Sequence, residues 1–540
     1  MKSKLRDLCS SIEVKQVIGN DNLDVVIDDL STHSKKISPT TLFFAHKGVA
    51  SDGRFFIEEV LDAGVGAIIS DTRNDNFNFS LYQNSSVPIV LVEDAKHAKA
   101  VIAKKFFLPD NPSILMIAVT GTNGKTSTAW IIAKALTTMG FPCAYVGTIG
   151  QRYYSPAQKQ EVVYDAKTTS PDVIDLYRFL GTAHQDGVKG VAIEVSSHSI
   201  DQKRLGDVDW DVAVFTNLTQ DHLDYHGTLE NYASVKKKLF IEELKKSRKK
   251  FKVATVNIGD AVGSFLFDWC RKNAPEIKCL GYTLRGTEGD SVVLYHKFHQ
   301  HSTDLKFNLD GDIVKVNSKL VGDFNVENML ASASVLSGLS QKLGLTTEQV
   351  ARGLSSVPPV PGRLERIEND KLSVFVDYAH TPDALFRAQD SLRKLTNGGK
   401  LITVFGCGGD RDKTKRPKMA TEVEKLSDYA VVTSDNPRSE NPDAIIKDIL
   451  AGFKSSEFDS NGKVSYEVGG AVSLNGGSSK LFEYVVITDR REAIKHAITT
   501  ATPGDVILIA GKGHEDYQEI SGKRHHFSDK EECIVAMTGM

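Results

Sequence analysis

The sequence predicts an α/β protein built from three domains, and three observations carry that expectation. From residue 111 onward, apolar runs of strand length alternate with helical patterns, the order in which parallel sheets are wound. Two proline-bearing breaks, FLPDNPS at 107–113 and SSVPPVPGRLER at 355–366, divide the chain into parts of 1–110, 111–357 and 358–540. Between the breaks, ILMIAVTGTNGKTSTAWIIAKAL, Ile114 to Leu136, reads as a strand, a loop with two glycines and a helix.

The first part reads as a small α/β domain. LDVVIDDLSTHSKKISPTTLFFAHKG places strand-like segments about a polar turn, FFIEEVLDAGVGAIISD reads as helix, glycine break and strand, and VPIVLVED as a buried strand. Ser34, Lys47 and SDGRFF could hold a ligand, although polar loop residues are more often simply solvated. Across the whole chain 66 basic residues face 69 acidic ones, a net charge of −3 with a sequence pI near 6.6. That balance points to no nucleic acid and no membrane surface as partner. Cysteines at 9, 143, 270, 279, 407 and 533 show no C-x-x-C spacing and read as reduced thiols. MKSKLRDLCSSIEV lacks an apolar signal core and no apolar run reaches about 18 residues, so neither export nor a membrane span is expected, and a cytoplasmic monomer is.

The second part centres on the glycine loop. Gly121 and Gly124 let backbone N–H groups close on an anion, with a helix start behind them, which makes a phosphate cradle. Lys125 can reach terminal phosphate oxygens and the Thr126 hydroxyl can join the coordination of magnesium (Mg2+), so an ATP-like nucleotide is expected. The common spacing G-x-x-x-x-G-K-[ST] asks for glycine where this chain has Val119, and an ordinary turn is the competing reading. Three further strands, in GVKGVAIEVSSH, VDWDVAVFTNLTQDHLDYHG and FKVATVNIGD, give the P-loop-type parallel sheet of an ATPase domain. Chemistry collects at the carboxyl ends of such strands. Those ends carry Glu194, Ser196, Ser197 and His198, then Asn217, Asp221, His222 and Asp224, then Asn257 and Asp260. A carboxylate and an imidazole beside a P-loop suit magnesium; each residue alone reads more readily as a cap or turn, and it is their shared position at strand ends that favours a site. His222 and His226 stand at i and i+4 without the glutamate of H-E-x-x-H, so zinc is not expected. Lys236, Lys237 and Lys238 follow on a helix, and KKSRKK at 245–250 reads as a solvated helix end.

The third part reads as a second parallel sheet of Rossmann-like form, from SVFVDYAH, KLITVFGCGGDRD, YAVVTSDNPR and GDVILIAGKGHEDYQ. FGCGGD lacks the G-x-G-x-x-G spacing and its downstream acid, which argues against a dinucleotide. The Ser/Gly/Asn-rich stretch at 454–480 reads as a surface hairpin.

TGTNGKTST, EVSSH, TNLTQDHLDYHG, GDFNVENMLAS, PGRLER, DYAHTPDAL, FGCGGDRDKTKRP, TSDNPR and AGKGHEDYQ together resemble, in order and through nearly the whole chain, the Mur ligases. These are cytoplasmic ATP-dependent amide-forming enzymes of peptidoglycan assembly, and their P-loop has this chain's form. Within the family the chain is similar to the enzymes that add the third residue to UDP-N-acetylmuramoyl-L-alanyl-D-glutamate. The resemblance implies an N-terminal UDP-binding domain, a central ATP-binding domain and a C-terminal amino-acid-binding domain. It implies ATP contacts from Gly121, Thr122, Asn123, Gly124, Lys125, Thr126, Ser127, Asn217, Asn257, Asp260, Asn325, Arg363, Tyr378 and His380. It places Thr168, Thr169, Ser196, Gln202 and Arg204 on the muramoyl-peptide, and a carbamylated lysine at Lys236, with Lys237 and Lys238 as alternatives. The family's D-S-R uridine segment falls on His33, Ser34 and Lys35, where Ser34 alone is unchanged.

The implied chemistry begins with a carboxylate, a poor electrophile, which ATP converts to an acyl phosphate that an amine then attacks. Anions must approach each other, so cations are needed: the resemblance implies Lys125, a magnesium bound through Thr126 and Glu194, and a second magnesium near His222, with the carbamate on Lys236 as a further magnesium ligand. Asp435-Asn436-Pro437-Arg438 matches the enzymes that add meso-diaminopimelate, where an arginine can pair bidentately with the far carboxylate; Arg411, Gly511 and Glu515 complete that expectation. ATP and the amino acid are expected to meet where the second and third domains close on each other. Addition of L-lysine, a folylpolyglutamate-type ligase and a non-catalytic P-loop protein are the competing readings.

Overall fold

The computed structural model describes residues 1–48, 51–72, 77–166, 168–284, 286, 288–299, 301–369, 371–396, 398–453 and 482–538; the hairpin expected at 454–480 lies outside them. The chain forms two compact units, Met1–Ser291 with Ala331–Thr346, and Val292–Leu330 with Thr347–Met540.

The first unit carries two sheets. In the smaller, the order is Val14–Gly19, Pro88–Val92, Ala67–Asp71, Thr41–Ala45, Asp29–Ser31, parallel except for the first pair. The helix Ala95–Phe107 follows, its N-terminus capped by Asp94, whose carboxylate accepts from Lys96 and His97 N–H groups. Side chains from Leu5 to Ile277 share one apolar core, so the N-terminal and central sheets of this unit bury a common interior.

The larger sheet runs, within this unit, in the order Gln160–Tyr164, Gly150–Ser155, Cys143–Gly147, Gly190–Glu194, Leu115–Thr120, Val212–Phe215, Val253–Asn257, Lys278–Thr283. The first three strands pair antiparallel and the rest parallel. Leu115–Thr120 is buried along its whole length, as its unbroken apolar run requires. Later strands are laid down on both sides of it. The winding therefore reverses there, and the loop after Thr120 opens into the crevice where ligands of such sheets bind.

The basic run at 245–250 differs from the solvated helix end expected. Asp211 is fully buried, and Lys249 (3.0 Å) and Lys342 neutralise it; Lys249 also donates to the Ile114 carbonyl. Arg248 pairs with Asp209 at 2.7 Å.

In the second unit the sheet order is Glu365–Ile367, Ser373–Asp377, Val506–Ala510, Leu401–Phe405, Tyr429–Val432, Glu483–Val486. All neighbours are parallel except the first pair. Proline starts two of its helices behind a polar cap, Thr381 before Pro382 and Asn441 before Pro442. All six cysteines are unpaired, and only Cys279 is more than slightly exposed. Among the described residues no helix is long and apolar enough to cross a membrane.

Candidate active site

The loop between Thr120 and Lys125 is held open by its neighbours. Gly121 adopts φ +148°, and a Cβ there would fall 1.9 Å from Thr216 Oγ1; Gly124, at φ +84°, starts the helix Lys125–Thr138. Asn217 supports the turn from outside, its Oδ1 accepting from Asn123 N–H at 3.0 Å and its backbone carbonyl from Thr122 N–H at 2.8 Å.

Two lysine side chains meet at this loop. Lys125 Nζ donates to the carbonyls of Gly121 (3.0 Å) and Thr122 (2.7 Å), and Lys236 Nζ donates to the same Gly121 carbonyl at 2.9 Å. Lys236 is 1% exposed. Burial first, and then the Lys125 charge, hold its ammonium well below the ordinary lysine pKa. The other two lysines point elsewhere: Lys237 lies over the Phe265 ring, and Lys238 stands 4.0 Å from Asp201.

Glu194 is fully buried at the end of Gly190–Glu194, the strand paired with Leu115–Thr120. Its Oε2 accepts from the Thr126 (3.0 Å) and Thr148 (3.2 Å) hydroxyls; its Oε1 accepts from Thr148 N–H (2.8 Å) and the Tyr145 hydroxyl. Tyr145 and Thr148 escaped the sequence reading. Thr148 lies just past the strand Cys143–Gly147, where strand-end logic could have found it, whereas Tyr145 looks like ordinary core.

Ser170 is a third omission. Its hydroxyl donates to the Glu194 carbonyl at 2.7 Å and accepts from Ser196 N–H, and Arg204 reaches its backbone carbonyl at 3.4 Å. Gln202 accepts from Arg204, and Thr148 donates to Thr169. Ser196, Thr169, Gln202 and Arg204 thus form one polar network with Glu194. Thr168 donates to the Ser170 carbonyl and faces a cavity of about 290 Å³ lined also by Gln151, Tyr164, Asp172 and Arg178. Arg178 bonds Asp29 and the Leu30 carbonyl, in the strand that leads into the turn bearing Ser34.

His222 sits outside the Glu194 network, in an aromatic cluster. It has φ 52°, and its ring lies 5.0 Å from His198 and 6.1 Å from Tyr232, whose hydroxyl accepts from Thr122 at 3.3 Å. His226 is committed to Ser197, with Nε2 and Oγ 2.9 Å apart. Asn257 and Asp260 serve their own loops: Asn257 donates to the Thr216 carbonyl, and Asp260 accepts from Leu218 N–H and caps the helix Ala261–Asn273.

The remaining nucleotide and amino-acid candidates belong to the second unit, where Asn325 is buried and donates to the Val321 carbonyl. Arg363 lies over the Tyr378 ring at 4.7 Å, and His380 Nδ1 bonds the Tyr378 carbonyl at 2.8 Å. Four loops converge at the carboxyl ends of the parallel strands. Arg438, at φ 53°, donates through its guanidinium to the Gly409 carbonyl at 2.6 Å, and a Cβ on Gly408 would lie 2.9 Å from that guanidinium and 3.9 Å from Arg411. The hairpin Tyr517–Ile520/Lys523–His526 straps the Asp435–Arg438 loop: Arg438 N–H bonds the Glu519 carbonyl, Gln518 the Asp435 carbonyl, and Glu519 N–H the Asn436 amide oxygen. Asn436 Nδ2 donates to Glu515 at 2.9 Å, and burial raises the Glu515 carboxyl above its ordinary pKa. Gly511 takes φ +123° beside Asp435, which is 7% exposed and whose Oδ1 has no hydrogen-bond partner among the described residues.

Residues 119–336 match the Mur ligase middle domain and residues 362–513 the Mur ligase glutamate ligase domain. A UDP-N-acetylmuramoyl-L-alanyl-D-glutamate--2,6-diaminopimelate ligase of Fusobacterium nucleatum subsp. nucleatum is 36% identical over 526 residues, covering 97% of this chain and 96% of that protein. One of the same name from Geobacter metallireducens is 37% identical, with 99% and 98% covered. A solved structure of an enzyme so named superposes with a TM-score of 0.67 at 30% identity, covering 100% of this chain and 99% of that one. Agreement along almost the entire length of both chains, in sequence and in fold, means that this protein belongs to the Mur ligase family.

Proposed function

We propose that the chain joins meso-2,6-diaminopimelate to UDP-N-acetylmuramoyl-L-alanyl-D-glutamate while ATP is converted to ADP and phosphate. The observation that carries this reading is its full-length similarity to ligases of that name. The three domains are bounded near residues 110 and 357, and the setting is the cytoplasm, where ATP and nucleotide-linked precursors are supplied.

The D-glutamate carboxylate attacks the γ-phosphorus of ATP, ADP leaves, and an acyl phosphate results. The amine of the incoming amino acid adds to that carbonyl, loses a proton, and expels phosphate to leave the amide. Lys125 brings positive charge to the oxygens that approach each other, and the N–H groups of Thr122 to Thr126 cradle the nucleotide phosphates. The donor set fits magnesium: the Thr126 hydroxyl and the buried Glu194 carboxylate are hard oxygen ligands side by side. Among the described residues no three His, Cys, Asp or Glu side chains form a ready metal cage; Thr126 and Glu194 would hold one magnesium together with phosphate oxygens, and His222 would stand beside a second, with a carbamate on Lys236 as a further ligand. Magnesium, when bound, neutralises phosphate charge and polarises the phosphoryl group.

Lys236 is the lysine we assign to carbamylation, because it is the one buried and aimed at the loop. Burial shifts this amine toward its neutral form, the form that adds to carbon dioxide, losing a proton as the carbamate forms. Ser34, Thr168, Thr169, Ser196, Gln202 and Arg204 hold the UDP-muramoyl-dipeptide. Arg438 and Arg411 flank Gly408 and meet the far carboxylate of diaminopimelate, while Asp435 and Glu515 meet its ammonium.

Phosphate release is measured with ATP, the UDP-dipeptide and either meso-diaminopimelate, L-lysine or L-glutamate. Release is expected with diaminopimelate alone. Equal ATP consumption with and without the UDP-dipeptide would sink the reading.

A further inference from the structure

The second unit buries a lysine that the proposed roles leave unused. Lys512 follows the strand Val506–Ala510, the central parallel strand between Ser373–Asp377 and Leu401–Phe405, and is 0% exposed. Its ammonium donates to Asn436 Oδ1 at 3.2 Å and Glu515 Oε2 at 3.4 Å, and lies 3.7 Å from Asp435 Oδ1. A buried ammonium persists only where partners replace its water, and here two acceptors and a neighbouring carboxylate do so.

The arrangement has two consequences. Asn436 Oδ1 is taken by Lys512 and by Glu519 N–H, so its amide nitrogen must face Glu515. And two carboxylates, Asp435 and Glu515, set against one ammonium leave a single negative formal charge in this cluster. We infer that Lys512 is the positioning residue of the amino-acid pocket, drawing Asp435, Asn436 and Glu515 into one cluster whose lone excess charge is matched to one substrate ammonium. Arg490 steadies the same wall. Fully buried against Asp529 at 2.7 Å, it donates to the carbonyls of Ser434 and Ala510, which lead into the Asp435 and Lys512 loops.

The inference rests on the amino-acid-binding role proposed for these loops, and the experiment separates the two. Wild-type phosphate release with meso-diaminopimelate and with L-lysine is measured first; release with lysine alone overturns the diaminopimelate reading, and the Lys512 comparison then proceeds with lysine. Lys512→Met is expected to raise KM for the amino acid about 10- to 100-fold, the scale of one lost hydrogen bond to a charged group, with KM for ATP and kcat within about threefold. Lys512→Met combined with Glu515→Gln is expected to bind the amino acid no worse than Glu515→Gln alone, because both changes break the same cluster. An unchanged amino-acid KM, an equal rise in KM for ATP, or a double variant whose defect is the product of the two singles overturns the inference. If Lys512→Met does not fold, Lys512→Gln, which keeps a donor for Asn436, serves in the same comparison with the same outcomes.

Discussion

At the scale of single residues the glycine loop leaves little freedom. A methyl on Gly121 would need space that Thr216 Oγ1 occupies, at a φ that side chains rarely adopt. Gly121→Ala is therefore expected to abolish nucleotide-dependent thermal stabilisation, measured as the melting-temperature shift on adding ATP and magnesium. Arg438→Ala removes a guanidinium proposed to pair with the far carboxylate. It should raise KM for diaminopimelate by about 10- to 100-fold while KM for ATP moves little, and unchanged diaminopimelate kinetics would defeat that role. Lys125 and Thr126 were legible in the sequence because the chemistry is contiguous there. Lys236 was not separable from Lys237 and Lys238 by composition or charge. The register of the helix Leu229–Lys238 against the sheet is what buries one and leaves the other two half-exposed. Tyr145, Thr148 and Ser170 are uncharged groups whose importance lies in touching Glu194, a contact made across different strands and loops.

At the scale of elements, polar groups inside the helices and strands decide where stability depends on conditions. Glu243 lies in the π-helical segment Leu239–Leu244 and accepts from the Trp210 ring N–H at 3.1 Å; burial pushes its carboxyl up to about 7. The folded state thus holds this proton up to a higher pH than the unfolded chain, whose carboxyl loses it near 4.5. The contribution to stability is full below about pH 4.5, falls as pH rises toward about 7, and stays low above that. Glu243→Gln should flatten that dependence and raise stability at pH 8 by about 1–3 kcal/mol relative to pH 5, read from denaturant unfolding at the two pH values. An unaltered pH profile would exclude Glu243 as its source. Breaking the Arg490–Asp529 pair with Arg490→Leu is expected to cost about 3–5 kcal/mol by the same measurement, since it strands a buried carboxylate. The strands themselves were readable as apolar runs, and their polar ends as sites, because a parallel sheet exposes its chemistry at one edge. The antiparallel hairpin Gly150–Ser155/Gln160–Tyr164 and the strap Tyr517–His526 were not singled out, since short, half-polar strands carry little periodic signal.

At the scale of the whole molecule, both halves of the chemistry depend on charge brought together from distant parts of the chain. Chelation with EDTA should stop ATP turnover and leave the melting temperature of the ligand-free protein unchanged, because Glu194 already has protein donors on both oxygens. A large fall in melting temperature would show instead that the cation is structural. Class of fold, position of the phosphate loop and family were all present in the linear order of residues, because apolar periodicity, glycine conformation and contiguous motifs are local properties. Which lysine faces the loop, what holds Glu194, and how Lys512 binds Asp435 to Asn436 and Glu515 emerged from packing. These are contacts between segments up to 115 residues apart, as from Lys236 to Gly121, and burial there changes what a charge can do without changing any neighbour in sequence.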